Sequence, residues 1–133
     1  MKVIKITVDQ VIEINRLICQ QSGDPFQILN LNNIESAMGA AYYPGIPPFR
    51  YGGIAKVGGA MAFLVSQSHA FLNANKRTAI ETSETFMSSN GWTLRYNKSH
   101  NSSDLATLLE KCSTGVLKLP DLVSWYDNHK VLK

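Results

Sequence analysis

This 133-residue chain has no block of lysine and arginine, no long apolar run and no cysteine framework. Each absence removes a class of function. Nothing approaches the roughly 18 consecutive apolar residues of a membrane span, so no membrane role is expected. The apolar stretch after Lys2 and Lys5 is interrupted by Asp9, Gln10 and Glu13, so it does not read as a secretory leader. Cys19 and Cys112 stand far apart and lack metal-ligand spacing. Cys112 falls on an apolar helical stripe and reads as a buried free thiol, which points to a reducing, cytoplasmic setting. Without a basic tail, no nucleic-acid partner is expected. The net charge of +3 suits an anionic ligand and an ordinary basic surface alike. The length suits one domain over residues 1–133 with one core. A hydrophobic content of 44% is ordinary for such a domain.

The apolar spacing is helical throughout. Thr7 and Gln10 form a capping-box pattern, and Val11, Ile14 and Ile18 continue it in a helix from Val8 to Gln21. A second, capped by Asn32 or Asn33, runs through Ile34, Met38 and Ala41. From Tyr43 to Gly53 the chain carries three prolines and three glycines, which make a loop or flap. Ile54, Val57, Met61 and Val65 mark a third helix that contains Gly58 and Gly59. Paired glycines weaken a helix interior, so a neighbour is expected to pack very close there. A fourth runs from Asn75 to the stop at Asn90-Gly91. Trp92 to Tyr96 is a short extended segment. Ser102 or Ser103 caps a fifth helix, and Pro120 opens a sixth. These elements predict an all-α fold. His100 and His129 sit in polar stretches and are expected to be solvated. Trp92, Trp125 and Tyr126 are expected in the core or lining a groove.

The most informative run is His69-Ala70-Phe71-Leu72-Asn73-Ala74-Asn75-Lys76-Arg77. It joins the third helix to the fourth. The first N–H groups of a helix have no intrahelical partners and lie at the positive end of its dipole, so they favour an anion. Lys76 and Arg77 add two charges there, against the usual preference for acidic residues. Arg77 can clamp a phosphate bidentately, and Lys76 can act as a movable point charge. His69 is the natural general base near neutral pH. Phe71 is expected to enter the core and fix the loop. Asn73 and Asn75 offer amide oxygens to a metal or amide donors to phosphate. No P-loop pattern occurs.

The spacing H-x-F-x-[D/E/N]-[A/G]-N-[K/G]-R resembles the motif of the Fic/Doc family, and the Ala-Asn-Lys-Arg ending resembles its Doc branch of toxins from type II toxin–antitoxin systems. The resemblance implies a compact bundle of six to seven helices with a Pro/Gly-rich flap loop. It assigns the hydroxyl-activating role to His69, a Mg²⁺ ligand to Asn73, and phosphate binding to Ala74, Asn75, Lys76 and Arg77. It makes the Tyr43–Gly53 segment a flap for the target, with Arg50 and Tyr51 as contacts. Most Fic proteins have glycine at the place of Lys76 and transfer AMP. Doc-type toxins have lysine there and transfer the γ-phosphate of ATP to a threonine of elongation factor Tu, which blocks translation. The implied function is thus an ATP- and Mg²⁺-dependent protein kinase acting on a threonine or serine hydroxyl. Its antitoxin would lay a helical tail in a groove of the toxin. No internal [S/T]-x-x-x-E-[G/N] inhibitory motif is seen; Thr82, four residues before Phe86, fails it.

One position departs from the family pattern. Asn73 stands where an acid is usual, and a neutral amide lowers the expected metal affinity and activity. Asp104, Asp121 or Glu81 could supply a carboxylate from elsewhere, although Glu81 also fits a surface ion pair with Arg77. A weakly active variant, a detoxifying change and a homologue without catalysis all accommodate Asn73. The alternatives to a kinase are a Fic-type AMP transferase and a catalytically silent family member acting as antitoxin or nucleotide-binding module.

Overall fold

The computed structural model describes residues 2–43, 51–98 and 103–133. Residues 44–50, with Arg50 and most of the expected flap, and 99–102, with His100 and Ser102, lie outside them. Six helices and one short strand pair make up the described part: α1 (Val8–Ser22), α2 (Leu31–Tyr42), α3 (Ile54–Gln67), α4 (Asn75–Ser89), β1 (Trp92–Leu94), α5 (Asp104–Ser113), α6 (Leu119–His129) and β2 (Lys130–Leu132). The expected all-α bundle is the architecture observed.

α3 is the central element. Val57, Gly58, Gly59, Ala60, Met61 and Ala62 follow one another and are all buried, so every face of this stretch is covered. α2, α4, α5 and α6 pack around it. The two glycines set the closest approaches. A Cβ on Gly59 would lie 2.9 Å from Val123 Cα and 3.0 Å from Leu122 O, both backbone atoms of α6. A Cβ on Gly58 would meet Met87 Cγ of α4 at 3.0 Å. Tyr126, wholly buried on α6, bonds Ser83 Oγ of α4 through its hydroxyl at 2.7 Å. Burial drives its phenol far above the usual tyrosine range. Cys19 and Cys112 are both free thiols in the interior.

The helix starts follow side-chain chemistry. Thr7 Oγ1 accepts from Gln10 N while Gln10 returns a bond to Thr7 N, closing the capping box. α2 begins earlier than expected, because Asn30 and not Asn32 or Asn33 accepts the cap bond, from Asn33 N. Asn33 instead reaches across to Ser68 O at 2.8 Å. Ser103 caps α5, and Pro120 lies in the first turn of α6. The extended segment after α4 is β1, paired antiparallel with β2, with Thr93 opposite Val131. His129 departs from the expected solvated state. It is half-buried, stacks on Trp125 with ring centroids 4.1 Å apart, and its Nδ1 pairs with Trp125 O. Tyr51 packs partly buried against the core. Among the described residues no helix is long and apolar enough to cross a membrane.

The α3–α6 contact makes a paired prediction. Gly59→Ala should lower stability, because overpacking costs about 1–3 kcal/mol and exceeds the ~1 kcal/mol that alanine gains over glycine in a helix. Gly39, exposed on α2 with open space around its Cα, should respond oppositely, gaining up to ~1 kcal/mol as alanine. Urea midpoints of the two variants check this; equal shifts would refute the close approach.

Candidate functional site

The loop between α3 and α4 begins and ends in left-handed backbone. His69 has φ +48° and Ala74 φ +64°. An L-residue with a Cβ pays roughly 1–2 kcal/mol there, so such geometry persists only where surrounding contacts enforce it. Those contacts are numerous. Ala70 and Phe71 are buried anchors, and Phe71 enters the core as its spacing suggests. The α1–α2 connector lies alongside: Leu29 N and Asn30 N donate to Ala70 O, Leu72 N donates to Gln27 O, and Ile28 bridges Phe71.

Asparagine side chains supply the rest of the scaffold. Asn75 Nδ2 donates to Phe71 O at 2.8 Å, and Asn75 Oδ1 accepts from Phe71 N at 3.1 Å. Its amide therefore closes the loop. Asn73 Nδ2 donates to Pro25 O at 3.0 Å, tying the loop to the connector. Asn15, fully buried on α1, donates to Asn73 O.

This scaffold brings His69, Ala74, Asn75, Lys76 and Arg77 to one cavity of about 350 Å³. Leu109 and Ser113 of α5 form its far wall. Ala74 occupies the N-cap of α4 and has no side chain to cap it, and no acidic residue lies in the first turn. The first intrahelical bond is Thr78 N to Ala74 O at 2.9 Å. The N–H groups of Asn75, Lys76 and Arg77 thus have no intrahelical partner and lie at the positive end of the helix dipole, on residues that line the cavity. Lys76 is ion-paired with Glu110 of α5, and both side chains are about half exposed. A pair this exposed contributes little and is readily exchanged for another anion. Arg77 turns its Nη1 to Ser22 Oγ at 2.7 Å, at the end of α1. It does not pair with Glu81, which shares with it a separate groove between α1 and α4. His69 is exposed, and its ring makes no hydrogen bond among the described residues.

Phe71 and Asn73 lie outside the cavity lining. Asp104 accepts from Asn97 N and Asp121 from Lys118 N, and neither lines the cavity. Among the described residues no cluster of three His, Cys, Asp or Glu could hold a metal. The Asn73 amide is already bonded to Pro25, and Glu110 is engaged by Lys76. These residues do not fit a Mg²⁺ ion held by the protein alone.

Two contributors escape a reading of the sequence. Asn15 had a visible signal, a polar residue on the buried stripe of Val11, Ile18 and Cys19. Glu110 had none, since its partner lies 34 residues away.

The Asn73–Pro25 bond can be tested directly. Asn73→Asp should cost about 0.5–1.5 kcal/mol at neutral pH, because a carboxylate cannot donate to the Pro25 carbonyl and this exposed hydrogen bond is lost. Acid, which returns a hydrogen to the new carboxyl, should narrow the gap. Thermal unfolding at neutral and acid pH measures both effects, and an unchanged midpoint at neutral pH would rule the bond out.

No family model matches the chain, and no curated protein matches it.

Proposed function

We propose that the cavity binds the polyphosphate of ATP and that the chain is a Doc-like protein kinase, a toxin restrained in trans by an antitoxin. The carrying observation is the start of α4, uncapped and left-handed at Ala74, opening on the same cavity as His69, Lys76 and Arg77. The free N–H groups would hold phosphate oxygens. Lys76 would exchange Glu110 for phosphate, and Arg77 would swing from Ser22 to clamp a second oxygen. The nucleotide would enter as its Mg²⁺ complex, the metal supplying charge neutralisation of the phosphates. His69 would take the proton of a threonine or serine hydroxyl. The hydroxyl oxygen would then bond the γ-phosphorus as the bond to the β-phosphate oxygen breaks, releasing ADP. The motif resemblance makes elongation factor Tu the expected target.

A second reading is a catalytically silent nucleotide-binding member of the same kind. It is favoured by the Asn73 side chain, which bonds Pro25, and by the lack of a metal-holding cluster among the described residues.

Incubation with elongation factor Tu and ATP labelled at either the α- or the γ-phosphate separates these readings. Transfer from γ alone is expected, lost in His69→Ala while ATP binding persists. Transfer from α would mean AMP is moved. ATP binding without transfer from either label would support the silent module, and no ATP binding would contradict both readings.

A further inference from the structure

We propose that Asn15 is a positioning residue that holds the phosphate-facing start of α4 in its strained form; its functional part rests on the nucleotide reading above. The side chain is fully buried on α1. Both Nδ2 hydrogens are used: one bonds Asn73 O and the other Thr78 Oγ1, each at 2.9 Å. Its Oδ1 accepts the Cys19 thiol at 3.6 Å. Burial pushes that thiol up from its ordinary range, so it keeps the proton it donates.

The two acceptors of Nδ2 bracket the strained residue. Asn73 directly precedes Ala74, and Thr78 is one turn into α4, where its own N–H makes the first helical bond back to Ala74 O. A single buried amide therefore spans the segment whose N–H groups face the cavity. A left-handed alanine relaxes unless its neighbours are fixed. Asn15 fixes them from outside the loop, through α1. With Asn15 absent, the carbonyl of Asn73 loses a part-buried donor and the Ala74 turn is released. Arg77 bonds Ser22 on the same helix, so α1 reaches this segment at a second point as well.

The test compares Asn15→Leu with Val11→Ala, a buried apolar truncation one turn away on the same helix that removes no hydrogen bond. Amide hydrogen exchange reads the positioning without any ligand, and calorimetric titration with the Mg²⁺ complex of ATP reads its consequence. Asn15→Leu should speed exchange at Thr78 by at least about tenfold while α3 and α6 keep their protection, and should weaken ATP binding by a similar factor. Ala74→Gly, which accepts the left-handed turn without strain, should restore part of that protection in the Asn15→Leu background. Val11→Ala should lower the melting temperature and change neither local readout. Wild-type exchange at Thr78 in Asn15→Leu, or a loss shared equally with Val11→Ala, overturns the proposal. Loosened exchange with unchanged ATP affinity overturns its functional part. Should the wild type bind no ATP while Asn15→Leu still loosens Thr78, the nucleotide reading fails and the positioning of α4 stands.

Discussion

The left-handed backbone at Ala74 is the constraint from which the candidate site follows. It turns the chain so sharply that α4 starts at Asn75 with its first N–H groups uncovered. Alanine is a poor residue for that conformation and a poor helix cap. Both costs have to be met by neighbouring contacts. The buried anchors Ala70 and Phe71, the connector strapped along the loop, and the amides of Asn15, Asn73 and Asn75 meet them. Asparagine suits this work because one planar group donates and accepts at once, so it can substitute for a missing stretch of backbone pairing.

Charge around the cavity follows from the same turn. Two cations at a helix N-terminus oppose the dipole, and the chain tolerates them by giving each a removable partner. Lys76 has Glu110, and Arg77 has Ser22. Both arrangements are solvent-exposed and weak. A ligand with several phosphate oxygens would replace them with shorter, charge-assisted bonds to the same groups and to the free N–H array. On the polyphosphate reading, Glu110 would be the anion that the ligand displaces from Lys76. α3 supplies the rigid floor, since the glycine contact with α6 fixes the helix that delivers His69.

Much of the fold was legible because apolar spacing and caps are local signals. The Thr7–Gln10 box, the close approach at Gly58 and Gly59, the stop at Asn90-Gly91 and Pro120 at the start of α6 all read directly. The signal failed where several residues could serve one role or where partners are remote. Asn30, Asn32 and Asn33 are all good caps; Asn30 takes the role, and the Asn33 side chain makes a tertiary bond to Ser68 O instead. β2 continues straight from α6 with no glycine or proline between, and its partner β1 is far back in the chain. His129 looked solvated because its neighbours in sequence are polar, while its neighbour in space is Trp125. At the site, motif spacing was enough to gather His69, Ala74, Asn75, Lys76 and Arg77 on one short stretch. It could not distinguish an amide that faces a ligand from one that holds the loop, which is what Asn75 and Asn73 do through Phe71 and Pro25.

The most direct measurement is a residue-resolved ¹⁵N–¹H titration of the wild-type protein with inorganic pyrophosphate and then with the Mg²⁺ complex of ATP. A polyphosphate site at the start of α4 predicts saturable shifts that are largest at the backbone amides of Asn75, Lys76 and Arg77. Spectra unchanged at those amides, or shifts centred on another face of the protein, would contradict it.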